Sequence, residues 1–105
     1  MPTYKVLAQS APSAATATTL LTASSATIVS TLQAANRGGT QDAIRIAVRP
    51  AGAALANQHY VVYGATIPGN GQYAFTAGVT LANTDVITVY STNGTCAFNA
   101  YGQEQ

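Results

Sequence analysis

Residues 42–63 read DAIRIAVRPAGAALANQHYVVY. The first eight alternate, with Ile44, Ile46 and Val48 on one side of an extended chain and Arg45, Ala47 and Arg49 on the other. A period of two is the signature of a strand with one buried face. Pro50 ends that strand, because proline brings no N–H to a ladder, and Gly52 supplies a turn. Val61 and Val62, flanked by Tyr60 and Tyr63, then favour a returning strand. Three of the four basic residues, Arg37, Arg45 and Arg49, lie in or just before this unit, and so does the sole histidine, His59.

Working outward, the bulk properties set the frame. A chain of 105 residues is one domain by length. Charged residues make up 7% of it, against about 25% in typical domains. No apolar run approaches the roughly 20 residues of a spanning helix, so no membrane partner is expected. Because 21 residues are alanine, the core should be thin, as between two sheets. A surface of Thr, Ser, Asn and Gln repels its own copies weakly, which suits a protein that ends in an assembly. Residues 1–17 lack the continuous apolar segment of a secretory signal. Asn93-Gly94-Thr95 matches a glycosylation sequon but is read as a turn.

Toward the N-terminus, residues 4–8 suit a short strand, and residues 9–16 are a Ser/Ala/Pro/Thr tract. Residues 1–16 are therefore read as an arm and linker, the strand either closing a sheet edge or lying on a neighbour. Residues 17–105 form the sandwich domain. Residues 17–22 are β-prone. In residues 26–35 the β-branched run Thr27-Ile28-Val29-Ser30-Thr31 outweighs a helix. Strict alternation there puts Ile28, Ser30 and Leu32 on one side. Toward the C-terminus, residues 72–80 keep Tyr73, Phe75, Ala77 and Val79 in step, and residues 86–91 are the most clearly β segment. Asn93-Gly94 is the favoured dipeptide of a two-residue hairpin, so residues 95–101 are expected to pair back on 86–91. About eight short strands with turns every 8 to 12 residues predict an all-β, two-sheet sandwich, jelly-roll-like.

Chemistry is scarce. Acid–base catalysis needs positioned carboxylates or histidine, and the inventory is Asp42, Asp85, Glu104 and His59. Both aspartates sit in turn-rich sequence and read as turn residues bonding local backbone. Cys96 stands alone, which excludes an intrachain disulfide and a Cys-based zinc site. No enzyme, metal or cofactor is expected. Four cations make no phosphate track, so nucleic acid is not an expected partner. Arg45 and Arg49 are read as pairing with Asp42 or lining a protein interface. The candidate interface is Tyr4 and Val6 of the arm, Arg45 and Arg49 of one strand face, and His59 and Tyr63 of the returning strand.

The segments AVRPAG (47–52), LAN (55–57) and HYVVY (59–63), followed by IPGNG (67–71), GVTL (78–81), TDVITVY (84–90) and the closing Phe98, Gly102 and Glu104, resemble a family of small tailed-bacteriophage virion proteins. The resemblance covers residues 17–104 and implies a structural role in the virion, with no active-site motif to carry over. The leading expectation is a head decoration (cement) protein that binds the major capsid protein and forms a homo-oligomer, a trimer. The rivals are a tail, neck or fibre component, and a host- or glycan-binding module built on the tyrosines.

Overall fold

The computed structural model describes residues 3–76 and 78–105. Nine strands carry the chain: β1 (Thr3–Ser10), β2 (Thr18–Thr22), β3 (Thr27–Asn36), β4 (Asp42–Arg49), β5 (Tyr60–Ile67), β6 (Gln72–Phe75), β7 (Val79–Leu81), β8 (Val86–Ser91) and β9 (Cys96–Glu104). Among the described residues, only two short 3₁₀ turns, Pro50–Gly52 and Asn57–His59, interrupt the β structure. One sheet has the order β1-β9-β3-β6, with β7 also on β3, and the other runs β2-β8-β4-β5. Every strand pair is antiparallel.

Strands β6 and β7 lie end to end along β3, so the nine strands, one more than expected, fill eight positions. The chain then passes from sheet to sheet at nearly every step. Only β4 and β5, among consecutive strands, pair with each other. That order is a jelly roll, the double-sheet answer to the problem of unpaired strand edges. The expected two-sheet sandwich is therefore present, and residues 42–67 form the one hairpin of consecutive strands among the described residues.

The core lies between the layers. Ile44, Ile46, Ile87 and Val89 of one sheet meet Val29, Leu32, Phe98 and Ala100 of the other. Burying each large side chain contributes about 1.5–3 kcal/mol. Ala34 and Ala100 are fully buried, so alanine fills core positions as well as surface ones and keeps the layers thin.

Three expectations change. Residues 95–101 do not pair back on 86–91: β8 lies between β2 and β4, and β9 lies between β1 and β3 in the opposite sheet. Gly94 has φ of 72°, but Asn93 is not left-handed, so the two positive φ values of a type I′ turn are missing. Both strands carry core residues, and burying them in separate layers overrides the local turn preference. Second, Ile28 is exposed while Val29 and Leu32 are both buried. Register shifts between Val29 and Thr31 against β9, and a bulge of one residue exchanges the faces. Gly102 makes room for it, since a Cβ there would stand 1.9 Å from the Ile28 carbonyl oxygen. Third, residues 72–80 form two strands, and Ala77, one of the positions read as in step, lies outside the described residues.

Of the two roles open to residues 4–8, the strand takes the sheet edge, pairing β1 with β9 from Thr3↔Glu104 to Ser10↔Phe98. Leu7 and Ala8 pack on the core, and Pro12 is buried in the tract that follows.

Candidate interface surfaces

Both outer faces of the sandwich carry large side chains in the open. On the β1-β9-β3 face, Tyr4 is 80% exposed and is accompanied by the exposed Val6 and Ile28. With Tyr101 and Gly102 of β9 they line an open groove of about 540 Å³. Strand pairing brings them together, because Val6 lies opposite Tyr101 and Val29 opposite Gly102. The bulge that turns Ile28 outward places it in this groove. Lys5 and Glu104 form an ion pair of 2.5 Å beside it, both partly exposed, so the pair adds little stability and leaves that rim neutral.

On the other outer face, Arg45 of β4 lies directly opposite Tyr63 of β5 and Tyr90 of β8. Its guanidinium carbon is 4.4 Å from the centroid of each ring, a double cation–π contact. Tyr60 meets Tyr63 edge to face at 4.9 Å. Tyr63 is 65% exposed, and Val61 beside it is exposed as well. Bulges at Val61 and Gly64 set this spacing, shifting the β4–β5 register twice, and Gly64 takes φ of 80°, which suits glycine.

Tyr4 and Val6 thus share one surface, and Arg45 and Tyr63 share the other. Arg49 and His59 join neither. Arg49 is half-buried, and its Nη1 donates to the Ala53 carbonyl at 3.2 Å. His59 is buried, and its Nδ1 accepts the Ala56 N–H at 3.0 Å, so the ring organises the connection between β4 and β5. Ile28, Tyr90 and Tyr101 complete the surfaces. Alternation in β8 points Tyr90 away from Ile87 and Val89, but only strand order sets it beside Arg45.

The polar groups with chemical potential lie at the ends of the sandwich. Asp42 is 2% exposed. Its carboxylate accepts hydrogen bonds from the Ser91 hydroxyl, from the N–H groups of Ala43 (2.8 Å) and Asn93 (3.0 Å), and from the Cys96 thiol (3.2 Å). Burial by itself would raise its pKa, but the bonds from Ser91, Asn93, Cys96 and Ala43 together bring it below the ordinary carboxylate value. The expected partnership of Asp42 with an arginine is absent among the described residues, whose one ion pair is Lys5–Glu104.

Burial, followed by the hydrogen bond to Asp42, pushes the Cys96 thiol up to about 12. That shift disfavours the thiolate, the form that acts as a nucleophile. At the opposite end Asp85 accepts the N–H groups of Ala51 (2.8 Å) and Ala82 (2.9 Å), which lower its pKa. Both aspartates therefore bind backbone at strand ends. No group of three or more His, Cys, Asp or Glu that could hold a metal is found among the described residues.

Fold and surfaces together define a class: a small jelly-roll sandwich whose polar chemistry fastens loops and whose outer faces expose aromatic side chains. A scan against protein-family models finds no match for the chain, and no curated protein or solved structure matches it.

Proposed function

We propose that the chain is a structural protein of a tailed-bacteriophage virion, a head decoration protein that cements the shell by bridging major capsid protein subunits. One observation carries this reading. The sandwich presents large apolar side chains on both of its outer faces, Tyr4, Val6 and Ile28 on one and Val61 and Tyr63 on the other. A bridge needs two adhesive surfaces, and a thin, weakly charged domain with one on each side suits that task. The jelly roll, an architecture that recurs in viral capsid proteins, supports the same reading. The oligomer in this proposal is a closed trimer on three-fold positions of the shell.

Cementing is mass action: a ligand that binds only the intact shell stabilises it, by about 2.7 kcal/mol per site at a free concentration 100 times Kd. The test adds purified protein to phage shells assembled without it. Saturation at a fixed copy number, with a rise in the shell's melting midpoint, is the expected result. Binding confined to tails, or a saturable response on a glycan array without shell binding, would replace this reading by one of its rivals.

A further inference from the structure

We propose that Arg45 is a preorganised receptor for a carboxylate presented by the shell subunit, with Tyr63 and Tyr90 as the walls that hold it. This rests on the cement reading and names the chemistry of one of its two contacts. Strand register places the three residues in a row across β5, β4 and β8. The two rings, each 4.4 Å from the guanidinium carbon, restrict the side chain before any partner arrives. Binding then loses less rotamer freedom than it would for a mobile arginine. What the rings leave available is the fork of N–H donors, whose geometry matches a carboxylate in a bidentate pair.

Charge accounting says what the fork lacks. Asp42 is enclosed in its network, Asp85 binds Ala51 and Ala82, and Glu104 pairs with Lys5. These are all the acidic side chains of the chain. No hydrogen bond or ion pair engages Arg45 among the described residues, and none of its nitrogens is both buried and unpartnered. The half-buried guanidinium thus keeps some contact with solvent, and no carboxylate of the described residues compensates its charge. Tyr60 and Val61 extend the same surface with apolar area, and an arginine ringed by tyrosines is the composition of an interface hot spot.

The same accounting favours a protein carboxylate over nucleic-acid phosphate. Arg37 donates to the Gly94 carbonyl, Arg49 to Ala53, and Lys5 is paired. That leaves three arginines outside any ion pair among the described residues, too few for a strong phosphate track.

The experiment measures equilibrium binding of wild type, Arg45→Ala, Arg45→Met and Arg45→Lys to shells lacking the protein, with melting midpoints as the check on folding. Arg45→Met keeps an aliphatic stem between the rings and maintains the test should Arg45→Ala not fold. The expected result is a loss of at least about 30-fold for Ala and Met, the scale of a hot spot. Lysine should recover little of it, because a point charge lacks the planar fork. Equal binding of wild type and Arg45→Met would overturn the inference and leave the cement reading standing. Full affinity in Arg45→Lys would overturn the bidentate receptor. Competition for the Arg45-dependent site by a single-stranded DNA oligonucleotide would reassign it to phosphate and overturn the carboxylate. Shells that do not bind wild type would overturn the cement reading and this inference with it.

Discussion

The two ends of the sandwich are each fastened by one aspartate, and they differ in depth. At one end Asp42, with Asn36 beside it, gathers four connections. Asn36 Nδ2 donates to the carbonyls of Thr40, Ile67 and Pro68, and Thr95 Oγ1 donates to Asn36 Oδ1 at 2.8 Å. Ser91, hydrogen-bonded to Asp42, accepts the Gly94 N–H at 3.0 Å, and the backbone of Ala15 reaches the Ser91 carbonyl at 2.9 Å. At the other end Asp85 takes two backbone donors near the surface, and Ala23 and Asp85 join the neighbouring loops through main-chain bonds. Buried polar groups that lose a partner bear the full desolvation cost, whereas exposed ones turn to water. The Asp42 end should therefore govern whether the two layers hold together, and the Asp85 end only how its loops lie.

The strongest way to break the comparison is Asp42→Ala. It strands the buried Ser91 hydroxyl and Cys96 thiol and removes the acceptor of the Asn93 N–H, and a loss of about 3 kcal/mol or more is expected. For a domain this size each kcal/mol lowers the melting midpoint by about 4–8 °C, so thermal and urea unfolding will show it. A loss below about 1 kcal/mol would mean that water repairs the site and that the two ends do not differ in depth.

Gly94→Val acts at the same end through backbone. Gly94 has φ of 72°, and a Cβ there would lie 2.7 Å from the Ala14 nitrogen. Left-handed strain at a β-branched residue, with that clash, should cost about 1–3 kcal/mol. Urea midpoints compared with those of Gly94→Ala separate the two causes, because alanine meets the close contact with less strain.

Acid sharpens the comparison. Both aspartates have pKa values lowered by folding, so below the unfolded value, about 3.9, the unfolded chain binds protons the native state does not. Stability is thus fully present above that value and is lost as pH falls through the folded pKa values. Asp42→Asn should flatten part of this acid loss in urea titrations between pH 5 and pH 2, about the span over which a lowered carboxylate acts. An unaltered slope would show that Asp42 does not supply it. Asp85→Ala should have the smallest effect. Its midpoint should stay within the ordinary range of surface substitutions, while amide exchange at Ala51 and Ala82 speeds up. Unchanged exchange there would remove Asp85 from its loop role.

Much of the architecture was legible in single residues. Alternation in DAIRIAVR placed Ile44 and Ile46 inward, and Pro50 and Gly52 turned the chain into the hairpin partner β5. Asp42 and Asp85 were recognisable as turn residues. The candidate surfaces were legible only in part. Tyr4, Val6, Arg45 and Tyr63 belong to them, but His59 turns inward, and Ile28 reaches its groove through a bulge that alternation does not foresee.

By itself the sequence determined what depends on near neighbours: strand or loop, which residues of an unbulged strand share a face, and where glycine or proline ends a run. These follow from φ/ψ preference and side-chain period, which act within a few residues. The tertiary structure alone decided which sheet each strand joined. Asn93-Gly94 invites a hairpin, yet β8 and β9 lie in opposite layers because their apolar faces bury more by facing each other across the core than by pairing edge to edge. That same choice sets Tyr90 of β8 beside Arg45 of β4, and Tyr101 of β9 beside Val6 of β1. Strand order is a property of the packed core, where contacts join residues up to 101 positions apart, as Thr3 and Glu104 are, and no local preference carries over that distance.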